Sequence, residues 1–152
     1  MEINGLPLHP LAVHAAVVLA PLVALLALAS LVPSWRDRLR WPLVVGAVVA
    51  IGAVALAFVS GNSFRNANEF FSTPPSETTR RIDHHHALAL KLLWTSIGFS
   101  AVALVSGLLH PEEGPLRWLL GLLLAGGAVA VIVLVVLTGD AGATAVWGGF
   151  NG

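Results

Sequence analysis

Apolar residues fall in four long runs separated by short polar punctuation. The first is Leu11 to Val32, opened by Pro10 and closed by Pro33. The second runs from Pro42 to Ser60 and stops at Gly61-Asn62. The third runs from Ala87 to Leu109, with Asp83 as its expected N-cap and Pro111 beyond its end. The fourth runs from Leu116 to Thr138, between Pro115 and Gly139. A helix crosses the hydrocarbon core of a bilayer with roughly 20 mainly apolar residues, and each run is about that long. Proline suits a first helical turn, where its missing N–H has no partner to lose. Pro21, inside the first run, predicts a kink. The pattern predicts an all-α, integral membrane four-helix bundle running up-down-up-down. Residues 1–152 form a single transmembrane domain, with spans at about 11–32, 42–60, 87–109 and 116–138. Two connections are short, and a longer polar loop at 62–86 carries Pro74-Pro75.

Composition agrees. Hydrophobic residues make up 57 % of the 152 and charged residues 11 %, against about 25 % charged in a soluble domain. Mean hydropathy is +0.85. The zero net charge gives no footprint for a nucleic-acid partner. With no cysteine, the chain has no disulfide, thiolate zinc site, iron–sulfur cluster or covalently attached c-type haem. Any metal or cofactor must rest on histidine, carboxylate or backbone groups. The N-terminal MEINGLPLHP lacks the basic stretch of a signal peptide. The A-x-A pattern at Ala27–Ala29 is read as composition, so the first helix is expected to stay in the mature protein.

Orientation follows the basic residues of short loops. Arg36, Arg38, Arg40 and Arg117 stand on one side, and Arg65, Arg80 and Arg81 on the other. The compact first cluster places the short loops in the cytoplasm, and the termini and loop 62–86 on the non-cytoplasmic face. Helix parity then gathers His9, His14, Asn62, Arg65, Asp83, His84, His85, His86, Lys91 and Asp140 at one end. Five of the six histidines share that end, and His110 lies at the other.

His14 lies about a turn inside the first span, where an ionisable side chain is expected to face the bundle interior. His9 precedes Pro10 and is expected outside the regular helix. Consecutive helical residues point about 100° apart, so only one or two of His84, His85 and His86 face inward. Lys91 snorkels outward or pairs with an anion. For any single one of these residues an ordinary helix-end role is the stronger reading; His14 is the exception. Small residues stripe the second span (Gly46, Ala50, Gly52, Ala53, Ala57, Gly61) and the fourth (Gly121, Ala125, Gly126, Gly127). Their first reading is close packing within one bundle, and the others are a homodimer face or room for a flat cofactor. No cysteine nucleophile, serine with an identifiable base, or phosphate-binding glycine loop points to a hydrolase or transferase. An electron carrier or a subunit is expected rather than a stand-alone catalyst.

Three segments carry a family likeness: LPLHPLAVH at 6–14, HHHALAL at 84–90 and TGDAGATAVWGG at 138–149. Together they resemble the DUF2231 family of predicted bacterial membrane proteins. In that family a histidine before proline and a second one five positions later open the first helix, and another histidine opens the third. The resemblance maps these onto His9, His14 and one of His84 to His86. It implies a bacterial cell membrane and, since related domains occur joined to Rieske-type or c-type haem domains, a redox setting. The chain departs from the pattern at Phe150-Asn151-Gly152, where the family implies a longer polar tail with its own histidine.

Three functions are therefore expected in order. The first is a membrane b-type haem protein in electron transfer, with His14 and His86 as the axial pair, His9 and His85 as further candidates, and Arg80, Arg81 and Lys91 beside the haem propionates. The second is a copper or zinc site built from His9, His14, His86 and Asp140, with His84 and His85 as alternates and Asn62 or Asp83 behind the ligands. The third is a cofactor-free subunit packed against a redox protein, a larger membrane complex or a second copy.

Overall fold

The computed structural model describes residues 2–3, 6–66 and 76–148 of the chain, with side chains from Leu8 onward. Four helices account for nearly all of it: α1 (Leu8–Ser30), α2 (Pro33–Asn66), α3 (Glu77–Leu109) and α4 (Pro115–Trp147). A two-residue antiparallel pairing of β1 (Glu2–Ile3) with β2 (Leu6–Pro7) precedes them. Each helix is long and apolar enough to cross a membrane. Large aliphatic side chains such as Val18, Leu22, Val45 and Leu122 lie on the outside, and the buried positions are mostly small. That distribution suits a lipid solvent, in which the outward face has no reason to be polar.

The helices outrun the apolar stretches. The connection α1–α2 is only Leu31 and Val32, so the arginine segment 34–41 belongs to α2 and Pro42 lies inside that helix. Arginine and leucine are good helix formers, and they carry the helix past a proline that costs one hydrogen bond. At the other end α2 continues through 62–66, and α3 begins at Glu77. The segment expected as a polar loop is therefore helical at both its ends; residues 67–75, including Pro74-Pro75, lie outside the described residues. Ser76, not Asp83, caps α3: its hydroxyl accepts from the Thr79 amide while the Thr79 side chain accepts from the Ser76 amide. Asp83 instead pairs with Arg65 at 2.5 Å. Helix α4 continues through Gly139 to Trp147. His9 lies within α1, one residue into the helix, rather than outside it.

The helices pack as neighbours in a ring, α1 on α2 and α4, and α3 on α2 and α4. Buried positions recur at alternating three- and four-residue steps, as in Leu43, Ala47, Ala50 and Val54 or Leu124, Ala128, Val131 and Val135. That spacing keeps one seam facing inward along nearly antiparallel helices. The hairpin α1–α2 and the hairpin α3–α4 repeat one another. Ala16, Ala20, Val23, Ala24 and Ala27 on α1 are buried in the same register as Leu92, Ser96, Phe99, Ser100 and Ala103 on α3. Close contacts repeat too. A Cβ at Gly46 would meet Val23 at 3.0 Å, and one at Gly127 would meet Phe99 at 3.1 Å. Gly52 and Gly126 open outward, with nothing within 4 Å of such a Cβ.

Candidate functional site: a histidine cluster at one end of the bundle

Helices α2, α3 and α4 have 34, 33 and 33 residues, so each is about 50 Å long against a hydrocarbon core of about 30 Å. Much of their excess projects at the end where α1 and α3 begin and α2 and α4 finish. Five of the six histidines sit at that end.

His9 is half-buried and reaches across to α2. Its Nδ1 donates to the Ala57 carbonyl at 3.0 Å, and the Ser60 hydroxyl lies 3.5 Å from the same nitrogen. The imidazole packs close against Gly61, where a Cβ would come within 2.9 Å of Cε1. His85 repeats this arrangement in the second hairpin. Its Nδ1 donates to the Thr138 carbonyl at 2.9 Å, and a Cβ at Gly142 would come within 3.0 Å of its Cε1. A carbonyl can only accept, so both rings carry their proton on Nδ1 when neutral. Among the described residues neither Nε2 has a hydrogen-bond partner, so each keeps its lone pair. The imidazoles of His9, His84 and His86 all lie within electrostatic range of His85.

His86 turns toward α2. Its Nε2 donates to Asn62 Oδ1 at 2.8 Å, and its ring stacks obliquely on Phe58 with centroids 5.6 Å apart. Asn62 was one of two acceptors expected behind the histidines; Asp83 serves Arg65 instead. His14 does not face the bundle interior. It is exposed on the outside of α1, and its Nδ1 bonds back to the Pro10 carbonyl at 2.5 Å. Ala12 and Ala16 occupy the inward face of this turn. Proline at position 10 frees nothing there, but position 14 lies off the seam, and its own preceding turn supplies the acceptor that makes the outward position tolerable.

His84 is exposed and lines a groove of about 500 Å³ between α3 and α4, together with Arg80, Arg81 and Asp140. Arg81 pairs with Glu77 one turn earlier. Lys91 is exposed on α3, six residues further along the helix than His85, and in a bilayer its ammonium would reach water by snorkelling. Among the described residues, no three His, Asp or Glu side chains converge closely enough to hold a metal ion. The set His9, His14, His86 and Asp140 is not assembled: His14 and Asp140 are exposed, and His86 is committed to Asn62.

Two acceptors and two glycines complete the site that residue types alone did not reveal: the carbonyls of Ala57 and Thr138, and the close approach that Gly61 and Gly142 allow the rings. The signal in the sequence was a small residue four positions before a glycine near the end of each second helix of a hairpin. The buried hydroxyl of Thr138 has no hydrogen-bond partner among the described residues.

The model of the DUF2231 family, described as predicted membrane proteins, matches residues 5–149. No curated protein and no solved structure matches the chain. With four membrane-crossing helices and a match over nearly its whole length, the chain belongs to the DUF2231 family of predicted membrane proteins.

Proposed function

We propose that this protein is a membrane electron carrier of the b-type haem class, in which His9 and His85 would hold the haem iron. The observation that carries the reading is the matched pair of imidazoles. Each is fixed through Nδ1 on the backbone of a neighbouring helix and keeps Nε2 unprotonated. A ligating histidine is commonly oriented in this way by a hydrogen bond from its other nitrogen. The orphaned Thr138 hydroxyl, on the residue that anchors His85, is a second polar group able to serve a bound molecule. This pair replaces His14 and His86, which the sequence favoured, because His14 is exposed and the Nε2 of His86 is used by Asn62. Arg80 and Arg81 stand about one turn nearer the aqueous end of α3 than His85, where they suit propionates; Lys91 lies on the wrong side of the histidines for that role. A bound haem would supply one-electron chemistry. The chain's part is to hold the ligands rigidly and present one edge to a redox partner on the same face.

A cofactor-free subunit is the second reading, and it too has support. His9, His85 and His86 each already bridge two helices through a hydrogen bond. In that reading they are clamps that hold the bundle end closed.

Absorption spectra of the detergent-purified protein, oxidised and dithionite-reduced, separate the two. The haem reading expects a Soret band with sharp reduced α and β bands. These bands are lost in His9→Ala and His85→Ala and kept in His14→Ala. Gly142→Ala, which pushes the His85 ring aside, should weaken them, whereas Gly139→Ala, with nothing within 4 Å of its Cβ, should not. A flat visible spectrum from folded protein expressed with ample haem refutes the haem reading. Lowered thermal stability in His9→Ala and His85→Ala would then support the clamps.

A further inference from the structure

The opposite end of the bundle holds a cavity of about 320 Å³ that the histidine site does not involve. Three guanidinium groups line it: Arg36 and Arg40 from α2 and Arg117 from α4. Among the described residues no acidic side chain lines it. Each guanidinium is steered by a backbone carbonyl. Arg36 donates to Pro111 at 2.5 Å, Arg40 to Gly107 at 2.7 Å and Leu108 at 3.3 Å, and Arg117 to Glu112 at 2.7 Å. These bonds satisfy carbonyls left without partners at the end of α3 and in the turn after it. They do not neutralise the charge. Among the described residues none of the three arginines has a carboxylate within ion-pair distance, and the nearby Asp37 is taken by His110. A guanidinium has five N–H donors, so each of the three keeps donors to spare.

Ser30, Ser106 and His110 also line the cavity, and the rest of its wall is apolar and turns outward. Leu31, Leu43, Leu122 and Ala125 line it, and Trp118 stands at its rim. Trp118 is 75 % and Leu122 70 % exposed, on the surface that faces lipid. Tryptophan at this level marks the membrane–water interface. A half-buried cationic pocket that opens sideways into the bilayer matches a molecule with an anionic head and a hydrocarbon tail. Basic pockets between transmembrane helices are a known way of holding such headgroups.

We propose that this cavity binds an anionic phospholipid, with Arg36, Arg40 and Arg117 holding the phosphate and Leu122 and Trp118 flanking an acyl chain. The site is independent of the histidine cluster and stands whether or not that cluster binds haem. Its two outer arginines, Arg36 and Arg117, occupy equivalent places near the starts of the two second helices, so the headgroup bridges the hairpins.

The test is lipid binding to the purified full chain in detergent, read by native mass spectrometry with dioleoylphosphatidylglycerol and dioleoylphosphatidylcholine in competition. Phosphatidylglycerol is expected to be retained preferentially. The preference should fall by about fivefold for each arginine removed, and so by about 25-fold in R36Q/R117Q. R38Q, on the same segment but outside the cavity, should keep it. Equal retention of the two lipids by the wild type overturns the proposal, and so does an undiminished preference in R36Q/R117Q. If inorganic phosphate abolishes the preference at concentrations where chloride does not, the site takes a free anion and the lipid assignment is wrong. Should R36Q/R117Q fail to fold, the wild type decides: the preference must weaken as salt is raised, and a salt-independent preference refutes the role of the arginines.

Discussion

Gly126 and Gly127 are adjacent on α4 and point in different directions, which makes them a sensitive test of the bundle. A Cβ at Gly127 would lie 3.1 Å from Cδ2 and 3.4 Å from Cβ of Phe99, with the Phe99 Cα at 3.7 Å. A Cβ at Gly126 has nothing within 4 Å. Phe99 is only 5 % exposed, so the ring atom at 3.1 Å has little free space to move into, while its Cβ and Cα already stand at ordinary contact distance. A side chain larger than a methyl group must therefore displace the ring or push the helices apart. Valine at 127 adds two further carbons beyond the crowded Cβ, and overpacking of this kind costs about 1–3 kcal/mol. The change in helix propensity from glycine to valine is common to both sites and cancels in the comparison. Gly127→Val should therefore be less stable than Gly126→Val by about 1–3 kcal/mol, a factor of about 5 to 150 in the folding equilibrium. Reversible unfolding of the purified protein by dodecyl sulfate in mixed micelles, followed by far-ultraviolet circular dichroism, measures the difference. Equal destabilisation at the two positions would refute the assignment of the α3–α4 seam. The first hairpin offers the same contrast, with Gly46 against Val23 and Gly52 open.

Two further outcomes are expected. The hydroxyls of Ser96 and Thr138 are buried with no partner among the described residues, so Ser96→Ala and Thr138→Val lose no hydrogen bond. In the cofactor-free protein they should leave stability unchanged or raise it by up to about 1 kcal/mol; a loss above that in the same dodecyl sulfate titration would show a bond that these positions do not display. Ser76→Ala removes the capping box of α3 and should cost about 1 kcal/mol locally. Hydrogen exchange at the amides of 77–80 should then quicken by about fivefold without a change at 96–103; unchanged exchange at both sites would mean the cap does not hold that turn.

Fold class was legible in the sequence because a bilayer leaves few choices. A run of about 20 apolar residues that must satisfy its own backbone hydrogen bonds becomes a helix. Four such runs, two of the three connections between them short, favour the up-down order. Parity alone then brings the start of α1, the end of α2, the start of α3 and the end of α4 together, and the contacts His9–Ala57, His86–Asn62 and His85–Thr138 lie at that shared end. Helix ends were less legible. Hydropathy marks where lipid stops, not where hydrogen bonding stops, so the polar turns at 34–41, 62–66, 77–86 and 139–147 were hidden in what read as loops or termini.

Side-chain direction belonged to the tertiary structure. His14 sits in an apolar run, but whether position 14 faces the seam or the lipid depends on the rotation of α1, which is set by Ala12, Ala16 and Ala20 closing against neighbouring helices. The choice among His84, His85 and His86 was likewise open until α2 and α4 supplied their acceptors: His85 goes to α4, His86 to α2, and His84 to the outer groove. Gly61 and Gly142 resembled any other small residues of a tight bundle, and only the helix register shows that imidazoles lie on them. Composition and run length thus determined the membrane, the helix count and the side on which the histidines gather, because these depend on transfer free energy summed along the chain. Packing decided which histidines keep a free nitrogen and which arginines share a cavity, because those depend on where each helix turns its faces.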